Sequence, residues 1–159
     1  SLQEGDSINQ LLDALKSEQA RLSGIHGRYV PVAVKIAPDM DAAGFVATAS
    51  ALKSFEIDAV IATNTTIGRD GVGDSAVATE AGGLSGAPVR NLSTQAIQTL
   101  AAELNGALPI IGVGGITEGF DAIEKIEAGA SLVQIYTGFI YRGPQLVRDA
   151  VESIQQQNR

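Results

Sequence analysis

The apolar residues of the chain change their spacing in a regular order. Ile8, Leu11, Leu12, Leu15 and Leu22 share one helical face, and Ser7 to Gln10 reads as a capping box that opens this first helix. Ser23 to Tyr29 reads as a linker. Val30-Pro31-Val32-Ala33-Val34-Lys35-Ile36 has the pattern of a buried strand. Asp41 predicts an N-cap, with Phe45, Val46, Ala49 and Leu52 as the inward stripe of the helix behind it. Ile57 to Thr63 predicts a second strand. Ser93 then predicts the cap of a helix carrying Ile97, Leu100, Ala101 and Leu104 on one face. Pro109-Ile110-Ile111-Gly112-Val113-Gly114-Gly115-Ile116 opens as a strand buried on both faces and ends in glycines. Thr117 predicts the next cap, Glu118 falls in the first turn, and Phe120, Ile123 and Ile126 form the inward face. Gly129 predicts the end of that helix, Ser131 to Ile135 a fourth strand, and Gly143-Pro144 the start of the last helix.

The order is thus a helix followed by about four strand–helix units, which predicts an α/β fold with a parallel sheet. An open doubly wound sheet and a (β/α)8 barrel both fit this pattern. A full barrel takes roughly 250 residues. The 159 residues here would supply about the second half of one, as a single domain over residues 1–159, and the rest would come from another chain. The first residue is Ser1 rather than Met, which predicts a processed, nicked or truncated piece, or a sequence whose start was not retained. Between Thr63 and Ser93 runs a long stretch rich in Gly, Thr, Asp and Ser. A loop of this length is a lid, a binding loop or a disordered segment, and on a barrel it lies at the active-site face.

Composition removes several classes of partner and chemistry. The net charge of −7 makes nucleic acid and anionic membrane poor partners. The absence of Cys excludes disulfides and thiol chemistry, and with a single His it argues against a zinc site. That residue, His26, reads as solvated. No apolar run is long enough to span a bilayer.

The candidate chemistry sits where strands end. Lys35 is either a rim lysine that snorkels or pairs with a carboxylate, or a cation aimed at charge developing on a ligand; its place at a strand end favours the second. Thr63-Asn64-Thr65-Thr66 offers groups that orient a polar ligand or make a turn, with nothing in the spacing to choose. Gly82-Gly83-Leu84-Ser85-Gly86 reads as a flexible loop rather than a site of close backbone approach. Tyr136-Thr137-Gly138 follows the fourth strand, one unit after the glycine loop. The glycine loop alone fits a phosphate cradle and a plain tight turn equally; two such successive loops are a recurring phosphate site in (β/α)8 enzymes, so the pair favours phosphate over two unrelated turns. Arg69 and Arg90 read as solvated loop arginines with a secondary claim on anions.

Together these segments resemble the C-terminal half of the class 2 dihydroorotate dehydrogenases. The resemblance is carried by Val34 to Asp39, Thr63 to Thr66, Gly82 to Gly86, Pro109 to Ile116, Gly129 to Thr137, and Gly143-Pro144. Ile36-Ala37-Pro38-Asp39 and Tyr136-Thr137 are closer to class 2 than to class 1. The resemblance implies a (β/α)8 TIM barrel holding FMN. By position, Lys35 matches the lysine near the flavin ring, and Thr63, Gly86 and Gly115 match flavin contacts. Tyr136 and Thr137 match the segment that helps hold the FMN phosphate, and Asn64 and Thr65 match contacts to dihydroorotate or orotate. The implied reaction is oxidation of dihydroorotate to orotate in pyrimidine biosynthesis, with quinone as the final acceptor. A base takes the proton from carbon 5 while hydride leaves carbon 6 for the flavin. The family's base is a serine upstream of this chain, so no catalytic base is expected here, and the N-terminal half of the same enzyme is the expected partner. The family is peripheral on the cytoplasmic side of the bacterial cell membrane. Two other readings share the same loops: a phosphate-anchored barrel isomerase or aldolase in which Lys35 acts as amine or base, and an inactive half-barrel that covers its open strand edges by self-association.

Overall fold

The computed structural model describes residues 6–73, 75, 76 and 78–157. In chain order the elements are α1 (Asp6–His26), β1 (Ala33–Ile36), α2 (Ala42–Ser54), β2 (Ala59–Ala62), a 3-10 turn (Ala87–Val89), α3 (Arg90–Leu104), β3 (Ile110–Val113), α4 (Gly119–Glu127), β4 (Leu132–Gln134), α5 (Thr137–Arg142) and α6 (Pro144–Gln157). The four strands are parallel and lie side by side in chain order. A doubly wound sheet reverses its strand order at a switch point; this sheet does not, and its order is that of part of a (β/α)8 barrel.

The sheet has one packed face. Ile36, Val60, Ala62 and Ile110 bury against Leu12 of α1, Leu52 of α2 and Ile97 and Leu100 of α3. A smaller cluster joins Ile116, Ala122 of α4 and Ala150 of α6. The opposite face carries an in-register row, Lys35–Ile61–Ile111–Leu132. There the expectation of a buried strand fails for β1, whereas β3 keeps it, with Ile110, Gly112 and Val113 buried and Ile111 half-buried. Ala33, Lys35, Leu132 and Gln134 are exposed, because no element among the described residues covers that face.

Several local expectations shift for identifiable reasons. The helix starts at Asp6 rather than being capped by Ser7, and it runs on through His26, so the linker is shorter than its composition suggested. Strand β1 begins at Ala33 instead of Val30. Pro31 has no N–H to give, and the Val32 amide donates to the Asp58 carboxylate at 2.8 Å instead of to a neighbouring strand. Asp41 does cap α2, accepting from the Gly44 amide at 2.7 Å, but Val46 is exposed. Ser93 is not a cap. It lies inside α3, fully buried, and its hydroxyl donates to the Val113 carbonyl at 2.6 Å. Helix α5, which has no capping side chain at Tyr136, has no counterpart in the sequence pattern.

Helix α4 departs most from its pattern. Its N-cap is Glu118, not Thr117. Phe120 is 61% exposed, while Asp121, Ala122 and Lys125 face inward. Gly119 leaves no room for a wider contact, since a Cβ there would lie 2.7 Å from the Asp149 carbonyl oxygen of α6.

The long loop after β2 is ordered by polar groups. Thr66 and Leu84 form an antiparallel bridge. The Thr66 hydroxyl and the Ile67 amide donate to Asp39 beyond β1. The Arg69 guanidinium donates to the carbonyls of Ile67, Gly68, Ala78, Glu80 and Gly82. Arg69 is therefore an internal tie of the loop, not a solvated arginine.

Candidate functional site

A cavity of about 250 Å³ opens at the carboxyl ends of the strands. Strand β1 contributes Lys35, and the exit of β2 contributes Thr63, Asn64 and Thr65. Gly86 comes from the end of the long loop, Gly115 from the exit of β3, and Tyr136 and Thr137 from the exit of β4. All eight candidate residues thus line one space, although they come from four separate strand–helix junctions. The glycine loop and the Tyr136-Thr137-Gly138 segment are neighbours: a Cβ on Gly138 would lie 2.1 Å from the Ile116 carbonyl oxygen. The Gly82–Gly86 segment is also a site of close approach, where a Cβ on Gly86 would meet Thr137 Cγ2 at 3.2 Å.

The polar groups of the cavity are held in set directions. Thr63 is buried, its amide donates to the Val113 carbonyl at 2.8 Å, and its hydroxyl donates to the Asn64 carbonyl at 2.9 Å. The Ala62–Thr63 peptide is cis. The Asn64 side-chain oxygen accepts from the Thr65 amide at 2.9 Å, which leaves its NH2 free to donate. The Thr137 hydroxyl donates to Ser85 Oγ at 3.0 Å. Lys35 is exposed on the uncovered sheet face, and its ammonium reaches Gln134 Oε1 at 3.4 Å. Gln134 and Ser85 line the cavity and carry no expectation from the sequence. A polar residue closing an otherwise apolar strand was the available sign for Gln134.

The glycines of the β3 exit, besides lining the cavity, make a close contact within the chain. Gly115 has φ +72, and a Cβ there would lie 2.6 Å from Arg90 Cα and 2.7 Å from Arg90 N. Gly114 presses in the same way on Ser93, at 2.8 Å. The close approach is to the first turn of α3, not to the open cavity.

Behind that contact lies a charged cluster in which Asp121 and Lys125 are buried while the Arg90 side chain is 41% exposed. Arg90 donates to Asp121 Oδ1 and pairs at longer range, 3.7 Å, with Glu124. Asp121 Oδ2 accepts from the Thr117 amide at 2.8 Å, the Thr117 hydroxyl at 2.9 Å and the Glu118 amide at 2.9 Å. Burial alone would raise the Asp121 pKa. The Thr117 amide, the Arg90 guanidinium and the remaining donors outweigh it and hold the carboxyl below its ordinary value. Lys125, fully buried, donates to the Arg90 carbonyl at 2.8 Å and to Thr94 Oγ1 at 2.7 Å. Burial pushes its pKa down to about 8, with the Arg90 charge adding to the fall and Glu124 and Asp121 opposing it. Arg90 is therefore committed to carboxylates and does not line the cavity.

The donor set suits an anionic tail. Among the described residues, no chain acceptor takes the amide N–H of Gly115, nor those of Thr137 and Gly138 at the start of α5. Gly115 and Gly138 are buried, Thr137 is half-buried, and all three line the cavity.

Fold and cavity together define part of a parallel (β/α)8 barrel with an open cavity at the carboxyl ends of its strands. The family model described as dihydroorotate dehydrogenase matches residues 1–157, and the chain belongs to that family. It is 64% identical over 97% of its length to the dihydroorotate dehydrogenase (quinone) of Azotobacter vinelandii, covering 44% of that protein. It is 63% identical over 98% of its length to the protein of the same name from Marinobacter nauticus, covering 46% of it. Among solved structures, the Eimeria tenella enzyme in complex with ferulenol superimposes with a TM-score of 0.88 at 34% identity, over 96% of this chain and 44% of that one. The chain thus spans somewhat under half the length of the relatives it matches. Family membership implies a flavin cofactor. No helix among the described residues is long and apolar enough to cross a membrane.

Proposed function

We propose that this chain is the flavin-holding half of a quinone-dependent dihydroorotate dehydrogenase that oxidises dihydroorotate to orotate in pyrimidine biosynthesis. The observation that carries the reading is the convergence of all eight family-matched residues on one cavity at the strand ends. The cofactor is FMN, which when bound supplies the hydride acceptor. The amides of Gly115, Thr137 and Gly138 take its phosphate, and Gly86 and Tyr136 border it. Thr63 and Lys35 face the ring, where a lysine ammonium stabilises negative charge as electrons arrive. The Asn64 amide and the Thr65 hydroxyl hydrogen-bond the substrate and orient it.

The proton-abstracting serine belongs to the N-terminal half of the same enzyme, which is also the partner that covers the row Lys35–Ile61–Ile111–Leu132. Ile61, Ile111 and Leu132 in that row, on an uncovered face, fit a sheet that is packed on both sides in the complete barrel. The assembled enzyme sits peripherally on the cytoplasmic side of the bacterial cell membrane, where quinone is available.

The test is anaerobic reduction. The chain is combined with its N-terminal half, FMN is added, and dihydroorotate is mixed in. Bleaching of the flavin absorbance, reversed by a soluble quinone, is the expected result. A preparation that retains flavin but is not bleached refutes the substrate assignment, and one that retains none refutes the cofactor assignment.

A further inference from the structure

The eight cavity residues account for contact with a ligand, but the charged cluster behind the glycine loop touches none of it. Arg90, Thr117, Asp121 and Lys125 are all outside the cavity lining. Asp121 is nonetheless 1% exposed and Lys125 0% exposed, which is costly for charged groups unless they are fully paired. The pairing has a direction. One oxygen of Asp121 takes the guanidinium of Arg90, the residue whose backbone Gly115 presses against. The other oxygen takes Thr117 and Glu118, the residues that leave the glycine loop. A single carboxylate therefore ties both sides of the Gly115–α3 contact. Lys125 holds the same first turn of α3 from below, through the Arg90 carbonyl and the Thr94 hydroxyl.

This arrangement fixes where the Gly115 amide sits relative to Thr137 and Gly138. A glycine loop without such ties has the freedom to slide along α3, and donors that must first be brought together bind an anion less well than donors already aligned. Resting on the phosphate reading given above, we propose that Asp121 is a positioning residue that sets the affinity of the glycine loop for the cofactor's phosphate group. The chain reaches the ligand through Asp121, Thr117 and Gly115 in turn, with no contact between Asp121 and the ligand.

Asp121→Asn tests this in the chain assembled with its N-terminal half and then stripped of flavin. The substitution keeps the shape, but either orientation of the new amide sets an NH2 against a donor, Arg90 on one side or the loop amides on the other. FMN and riboflavin, which differ only by the phosphate, are titrated by quenching of flavin fluorescence. In the native protein FMN binds more tightly than riboflavin. In the variant that preference falls by about tenfold, while the riboflavin Kd is unchanged. Thr117→Val removes one hydroxyl hydrogen bond and leaves the ion pair, so it reads the same effect, smaller in size, should Asp121→Asn fail to fold. Equal weakening of both flavins, or no change in either, overturns the proposal and leaves Asp121 a fold-stabilising residue only. A native protein that binds the two flavins equally overturns the phosphate reading itself, and the proposal with it.

Discussion

Lys125→Met isolates the thermodynamic effect of the buried ammonium. In the folded chain the amine titrates at about 8, against 10.5 in an unperturbed lysine, because burial strips the cation of water and its two acceptors are neutral oxygens. Below pH 8 both states are protonated and the folded state carries the full cost of the buried charge. Between pH 8 and 10.5 the unfolded chain holds a proton that the folded chain has released, so stability rises with pH across that window. A fall from 10.5 to about 8, at about 1.4 kcal/mol per pH unit, amounts to about 3 kcal/mol. The assay is urea unfolding of native protein and Lys125→Met at steps from neutral pH to 10.5. Met fills much the same volume without a titrating group, so other groups cancel in the difference. The native protein should gain about 3 kcal/mol on the variant over that range. A difference that stays flat with pH refutes the assignment of a depressed pKa to this lysine.

Three further outcomes follow from the same geometry. Gly115→Ala should destabilise the fold by about 2 kcal/mol or more, through the left-handed backbone and the contact with Arg90, and urea unfolding reads it. Gly143→Ala, with φ 63 and ψ −159 but nothing within 4 Å, should cost only the strain of a glycine-only backbone conformation, about 1–3 kcal/mol, in the same assay. Lys35→Ala should leave the unfolding midpoint unchanged, because the side chain is exposed, while slowing flavin reduction in rapid mixing; equal loss in both measurements refutes its proposed role.

The strands and their parallel order were legible because β-branched runs such as Val30 to Ile36 and Ile57 to Thr63 alternate with amphipathic stretches. The cavity was legible for a related reason, since a barrel places chemistry at strand exits, and Lys35, Thr63 to Thr65, Gly115 and Tyr136-Thr137 all stand there. What the pattern hid was the inward face of α4. Hydropathy selects Phe120, Ile123 and Ile126; Ile126 does pack on the core, but Phe120 is exposed, and Asp121 and Lys125 turn inward because Arg90 and Thr94 await them, 31 to 35 positions earlier in the chain. Spacing within a helix cannot register a partner on another helix. The place of Ser93 inside α3 escapes the local pattern for the same reason, since its acceptor, the Val113 carbonyl, is 20 residues away. The purpose of Gly115 also depends on α3, an element its own motif does not include.

The Arg69 tie gives the long loop a property of its own. Five carbonyl oxygens, spread from Ile67 to Gly82, converge on one guanidinium much as oxygen ligands converge on a hard metal ion. Here the cation is covalently part of the cage, so neither chelators nor competing ions can empty it. Only a change of codon can, and lysine is a poor substitute, because a point charge with three hydrogens cannot span the fan of acceptors that a planar fork reaches.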